Sequence, residues 1–414
     1  MLEIKTSRPA FDRIFATTLR SLVNRVEPDG FCHTSFGECG NVKCYGVRHY
    51  LRDASEAARA LALTGNVEKA LAILQFNFRS VPAGQRHLPH VVNRDGSIQA
   101  NSIQTDTLPH AVLAIEACAA AAGETAQIAA LRDQAIKFAD MQWDDHFHAE
   151  ASLLDSGNYN EQGFAGLRRE PLLDLFSNAS NYAMCQALAP YGPRFGRRAQ
   201  LLSSGIESNL LDHTAGVYRA AIRLDGTGVD SPLNWISLYP VRWYRRNLAP
   251  YREAYRRLWE TTCNDWGGGL LIPCCEEPAL SFRTMGKVVA VLLAFAAQTG
   301  DDDRLGLLLD FIEKRTVRPA ELWPECWFHH PPENPDEYLQ WFFSEYRGVW
   351  TPFTENPDGD YTIDSGNCEQ SAVFIVETVR HLLPLHPRLD LSGEKMSRKT
   401  APAPAPKKQT RRSK

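Results

Sequence analysis

Apolar residues recur along this chain at intervals of three and four. Read with capping, Gly and Pro signals at the segment ends, the spacing predicts twelve helices: 10–25, 52–64, 66–79, 102–122, 125–140, 174–190, 194–211, 232–245, 249–263, 280–299, 301–315 and 366–383. Runs such as AARALAL, AVLAIEACAAAA and VVAVLLAFAA show no sustained period of two, so strands should be few and short.

The connections carry the architecture. Helices 2 and 3 meet at Gly65-Asn66, 4 and 5 at Gly123-Glu124, 6 and 7 through YGPRFG, 8 and 9 through NLAP, and 10 and 11 through TGD. Each link is short, with Gly or Pro where a helix should stop. The others are long: 26–51, 80–101, 141–173, 212–231, 264–279 and 316–365. Short links favour antiparallel neighbours, so the alternation gathers every long loop at one end. The expectation is a single all-α domain over residues 1–393, an (α/α) toroid of six helical hairpins with the even-numbered helices inside. An open solenoid would show a sequence repeat, and none is visible.

Composition places this pattern in an ordinary globular chain: 414 residues, 44% hydrophobic and 23% charged. No run approaches the ~18 apolar residues of a membrane span, and no apolar stretch follows the first residues as in a signal peptide. A cytoplasmic protein with no membrane partner is expected. The net charge of −4 hides an asymmetry. Residues 395–414 carry eight Lys/Arg and no acid, and subtracting these eight leaves −12 on residues 1–394. Such an acidic body repels polyanions, which argues against nucleic acid or highly sulfated glycans as partners. The tail, 394–414, is Pro/Ala/Lys-rich and is expected to be disordered.

Cys32, Cys39 and Cys44 with His33 invite a zinc reading. Their spacing fits no tight pair and no second pair follows, so reduced thiols and no metal are expected. Gly267-Gly268-Gly269 lacks the Lys-Ser/Thr of a phosphate loop. No cofactor is expected.

The chemistry should lie on the long loops, because unusually long loops in a compact domain tend to be functional. Tyr50-Leu51-Arg52-Asp53 opens helix 2, and Gln104-Thr105-Asp106 precedes helix 4. Asn160-Glu161-Gln162 lies on the third loop, and Trp323-Pro324-Glu325-Cys326-Trp327 on the sixth. Arg, Asp and Gln offer donors and acceptors to sugar hydroxyls. The sixth loop holds four of the nine Trp, Trp323 and Trp327 among them, and aromatic faces can stack on pyranose rings.

In the order of these parts, over residues 10–385, the chain resembles the six-hairpin glycosidase superfamily, most closely the glucoamylase/glucodextranase group, glycoside hydrolase family fifteen. The resemblance implies exo-acting hydrolysis of glucosides with inversion. It makes Tyr50, Arg52 and Asp53 the motif that binds the terminal sugar, and Gln104 and Asp106 the Gln-x-Asp that follows. Glu161 would be the general acid and Glu325 the general base. The chain departs from the family pattern at Tyr50, where Trp is usual, at Gln162 for a second Glu, and at Cys326 for Gln. Glu321, Glu345 and Glu369 are alternatives for the second carboxylate. A sugar epimerase on the same toroid, using His residues such as His87, His90, His110, His329 or His330, is the competing class, and a non-catalytic glycan binder is the third.

Overall fold

The computed structural model describes residues 2–34, 48–160, 169–229, 234–262, 283–316, 321–324, 326–329, 354–355, 361–363 and 367–385. Twelve α-helices run through them: α1 (Pro9–Asn24), α2 (Leu51–Leu63), α3 (Val67–Arg79), α4 (Thr107–Ala122), α5 (Ala126–His146), α6 (Leu175–Leu188), α7 (Pro193–Gly205), α8 (Asn234–Leu238), α9 (Ala249–Thr261), α10 (Gly286–Thr299), α11 (Asp302–Arg315) and α12 (Cys368–Glu377). Their ends follow local chemistry. Thr125 and Asp301 accept hydrogen bonds from Ile128 N and Arg304 N at the starts of α5 and α11, and Gly300 closes α10 in the left-handed conformation. The helix expected over 232–245 is cut short. Pro240 has no N–H to continue the ladder, and a 3₁₀ turn, Tyr239–Arg242, follows α8.

The inner helices form a closed ring. α2 packs on α4, α4 on α6, α6 on the Tyr239–Arg242 turn, that turn on α10, α10 on α12, and α12 back on α2. Outside them α3, α5, α7, α9 and α11 each back the helix that precedes them, while α1 backs α12 and joins the two ends of the chain. This is an (α/α) toroid of six hairpins. Being covered on all sides makes an inner helix apolar all round. In α10 every residue from Val288 to Ala296 is buried, so the run VVAVLLAFA shows little amphipathic pattern.

Short strands decorate the long-loop face. His49–Tyr50, Leu173–Asp174 and Arg283–Met285 lead directly into α2, α6 and α10. Each is pinned by antiparallel pairing, Tyr50 opposite Val91, Leu173 opposite Ile222, and Met285 opposite Cys326. The pairing fixes where three inner helices start, and so where their first-turn side chains sit. Among the described residues, no helix is long and apolar enough to cross a membrane.

Candidate functional site

Arg52 occupies the second position of α2, held there from behind. Buried His49 accepts a hydrogen bond from Cys32 N on Nδ1 at 2.9 Å, and its Nε2 lies 2.6 Å from Asn77 Oδ1. Burial lowers the His49 pKa to about 4, so the ring is neutral and serves as scaffolding. Asp106, at the N-terminus of α4, is set by its neighbour Thr105. The Thr105 carbonyl accepts from Gln142 of α5 and Asn181 of α6, both at 2.9 Å, and its hydroxyl donates to the Asp155 carbonyl at 2.7 Å. Asp155 in turn ties down the base of the third loop through His146, His148 and Gly157 N, each at 2.8 Å. Gly157 is required there. Its φ is +76°, and a Cβ would lie 2.5 Å from the Ile103 carbonyl oxygen.

From these supports a rim of charge assembles at the N-terminal ends of four inner helices. Arg52 Nη1 donates to Asp106 Oδ2 at 3.3 Å, and Nη2 donates to Asp53 Oδ1 at 3.3 Å and Glu369 Oε2 at 3.4 Å. Lys287, from the first turn of α10, reaches Glu369 Oε2 at 3.1 Å. Asn367 caps α12 by accepting from Glu369 N at 2.7 Å and donates to Asp53 Oδ2 at 3.4 Å. All are buried. The rim therefore offers guanidinium, ammonium, amide and carboxylate groups, the mixture that polyhydroxylated ligands require.

One turn deeper lies a second charged layer. Glu56 of α2 pairs with Arg242 and, at 3.0 Å, with His110 Nδ1 of α4. Arg242 also donates to Glu377 of α12 at 2.7 Å and to the Tyr239 hydroxyl at 2.9 Å. Burial alone would raise the Glu56 pKa, but the charges of Arg242 and Arg59 and the His110 hydrogen bond outweigh it and hold the carboxyl well below the usual range. Arg242 is raised well above its ordinary value, its acidic neighbours outweighing burial. Arg59 falls to about 10, because burial there exceeds the pull of Glu56.

Asp174 behaves differently. It caps α6 by accepting from Ser177 N at 2.7 Å, and its Oδ2 has no hydrogen-bond partner among the described residues. Burial raises its pKa to about 7, against the Ser177 bonds, and the neighbouring Asp106 adds to the rise.

The sequence-predicted residues fall into four groups. Arg52, Asp53 and Asp106 come together in the rim, joined by Glu369. Gln104 is next to them, buried at 5% exposure, its side-chain amide without a partner among the described residues. Tyr50 lies beside this group, half-buried, its ring 5.4 Å from His90, which in turn lies 4.9 Å from Tyr159. Trp323 and Trp327 do not present faces to a ligand. Both are fully buried; Trp323 stacks on Phe374 at 3.9 Å and Trp327 packs edge-on against Phe311 at 5.0 Å. For Trp327 the reason is geometric: the strand Cys326–His329 is clamped between Arg283–Met285 and Tyr361–Ile363 and turns its indole into the core. Glu161 and Glu325 lie outside the described residues, as do Glu345, His330, Cys39 and Cys44. Glu321 pairs with Arg13 at 2.9 Å, away from the rim.

Sequence reasoning missed Lys287, Glu56, Arg242, Glu377 and Asp174. The signal available was a charged residue at the first turn of an otherwise apolar helix, as in GKVVAVLL, and a stripe of charge at positions 52, 56 and 59 along α2.

No protein-family profile matches the sequence, and no curated protein matches it either. Solved structures do match in fold. A glycosidase variant in complex with glucose superposes with a TM-score of 0.59 at 12% identity, covering 89% of this chain and 96% of that one. A cellobiose 2-epimerase from Bacillus thermoamylovorans gives 0.62 at 11% identity over 88% and 97%. An α-amylase from Clostridium perfringens gives 0.58 at 8% identity over 88% and 97%. At such identities the likeness is one of fold, the six-hairpin toroid shared by glycosidases and sugar epimerases.

Proposed function

We propose that the protein is a carbohydrate-active enzyme, a glycoside hydrolase that removes glucosyl units from the end of an oligosaccharide or polysaccharide with inversion. The observation that carries this reading is the rim: Arg52, Asp53, Asp106, Glu369 and Lys287 converge from four inner helices. Donors and acceptors of both charges within a few ångströms suit a neutral sugar, whose hydroxyls both give and accept hydrogen bonds. Arg52 and Asp53 grip the terminal sugar, with Gln104, Asp106 and Tyr50 beside them. Glu161 supplies the proton to the leaving oxygen and Glu325 activates water, roles drawn from the resemblance. Inversion needs the two carboxyls ~6.5–9.5 Å apart, and two carboxyls suffice without a cofactor.

One observation favours a second reading. His110 lies fully buried on inner helix α4, its Nδ1 on Glu56 and its Nε2 without a partner among the described residues. An imidazole so placed suits a proton shuttle, and the fold neighbours include a sugar epimerase.

Products decide between them. The purified protein is incubated with α- and β-linked oligosaccharides. Free glucose of inverted configuration supports hydrolysis; an exchanged C2 proton without cleavage supports epimerisation and sinks it. Glu161→Gln should lower turnover by roughly 10²–10⁴-fold, and less on a substrate with a good leaving group. Glu325→Gln should slow both substrates. If it does not and Glu369→Gln does, the base is Glu369.

A further inference from the structure

Four described helices take a side-chain hydrogen bond at the N-cap, from Thr125, Asp174, Asp301 and Asn367. Two of these residues are carboxylates, and they differ. Asp301 uses its second oxygen on the Tyr255 hydroxyl and the Arg304 guanidinium, both at 3.2 Å. Asp174 is 1% exposed and, among the described residues, carries no ion pair and leaves Oδ2 without a partner. Capping alone does not explain an acid here. Asn or Ser caps a helix as well, and neither brings a buried charge with no cation beside it, which is expensive. The position is also specific. Asp174 stands at the start of α6, next in the inner ring to Asp106 of α4, on the face that carries the rim.

The surrounding groups keep the carboxyl neutral. The strand opposite, Ala221–Ile222, brings only apolar side chains. Leu172, two residues before Asp174, pairs with Ser156, beside Asp155 with its His146 and His148. Among the described residues Asp106 is the charge that acts on it, a like charge. Burial and that neighbour together raise the Asp174 pKa to about 7.

We propose that Asp174 is a sugar-binding residue that works as the neutral acid, its Oδ2–H donating a hydrogen bond to a hydroxyl of the sugar held by the rim. It complements Asp53, Asp106 and Glu369, whose ion pairs fit them to accept. The proposal rests on the carbohydrate reading of the site. Only the protonated form donates, so apparent affinity follows its fraction. Glucose should bind the wild-type protein about tenfold more weakly at pH 8 than at pH 6, one decade of lost protonation per unit above the pKa.

The test pairs two readouts on the full chain. Asp174→Asn keeps the cap and carries a permanent N–H donor. By calorimetry its glucose affinity should lose the pH dependence, whereas Asp174→Ser, which caps but does not reach, should bind weakly at every pH. A pH dependence unchanged in Asp174→Asn belongs to His146 or His148 and overturns the proposal. The second readout needs no ligand. Asp174 is raised in the folded state from an unfolded value of about 3.9, so the folded form binds the extra proton between pH 4 and 7. Wild-type stability must therefore fall as pH rises through that window, and the cost is constant above it. The Tm advantage of Asp174→Asn should grow from pH 5 to pH 8. A flat Tm difference in a protein that binds glucose overturns the proposal alone. A growing difference in a protein that binds no glucose overturns the carbohydrate reading, and the proposal with it.

Discussion

Two charged layers lie one helical turn apart inside the same ring, both buried, and both built around an Arg and its carboxylates. In the rim the hydrogen bonds among Arg52, Asp53, Asp106, Glu369, Lys287 and Asn367 run from 3.1 to 3.5 Å, apart from the cap of Asn367. In the deeper layer His110, Glu377 and Tyr239 lie 2.7 to 3.0 Å from their partners, and Glu56 and Arg242 are in direct contact. Burying a charge is repaid only by close, complete pairing. The deep layer is closely paired at Glu56, Arg242 and Glu377 and works as a cross-brace between α2, α4, the Tyr239–Arg242 turn and α12, although His110 Nε2 and Arg59 Nη1 have no hydrogen-bond partner among the described residues. The rim's bonds among these residues are longer, and Arg52, Asp53, Asp106 and Lys287 make further interactions besides. Burial and charge alone do not separate structure from function in this ring; we propose that the rim is the functional layer and the deep layer the brace.

The largest effect should come from breaking the brace. Arg242→Met removes the shared partner of Glu56 and Glu377 and leaves two carboxylates in the core, a change that costs on the order of 3–5 kcal/mol. Tm by circular dichroism should fall by about 5 °C, since the entropy of unfolding scales with the length of the domain. A Tm within a degree or two of wild type would show that the deep layer is not a brace, and the contrast with the rim would collapse.

Next in size is the rim itself. Arg52→Ala should lower kcat/KM on glycosides by about 10²-fold or more, as expected when a guanidinium that binds substrate is lost. Its stability cost should be about half that of Arg242→Met or less if the chief role of Arg52 is to bind substrate. Equal losses of stability in the two variants would mean that the rim is structural too.

Acid sharpens the contrast in another way. Glu56 is held well below its ordinary pKa, with Arg242 the chief opponent of the burial that would raise it. A depressed folded-state value means that its stabilisation is present above the unfolded pKa of about 4.3 and is lost as pH falls through the folded value. Asp174 has the opposite sign, destabilising as pH rises toward 7. Acid titration of Glu56→Gln, followed by tyrosine and tryptophan fluorescence, should show a shallower loss of stability below pH 4.5 than wild type. An unchanged acid slope would remove Glu56 from the brace.

The ring was legible in the sequence because its evidence is periodic and local. Helix spacing, Gly and Pro at the short links, and the alternation of link lengths need no knowledge of what touches what. Arg52, Asp53 and Asp106 were legible for a related reason: each stands at a helix start where a long loop ends. The deep layer was not. Glu56 and Arg242 are 186 residues apart and meet only because the ring closes, and Arg242 follows Pro240 in a stretch read as plain helix. Lys287 looked like a polar flank to an apolar run. The tryptophans of the sixth loop misled for the converse reason. Composition records that Trp323 and Trp327 are aromatic; only the strand pairing of Cys326–His329 turns Trp327 onto Phe311, and only tertiary packing, with Trp323 N on the Thr18 hydroxyl of α1, lays Trp323 on Phe374.

The smallest effect should come from a change that touches neither layer. We propose that the folded domain ends at residue 393 and that the segment 394–414 adds nothing to its stability. Those residues are chiefly Lys, Arg, Pro and Ala with a single Met, and offer little apolar surface to bury. Removing them takes away eight positive charges and Glu394 and leaves an acidic body at −11, so non-specific retention on a cation exchanger should fall, while Tm should stay within about 1 °C of the full chain. That truncation sets the baseline against which Arg242→Met and Arg52→Ala are read. A fall of several degrees would mean that the basic tail docks on the acidic toroid, and salt should then reverse it, because an electrostatic contact at the surface is screened over about 10 Å at 0.1 M ionic strength.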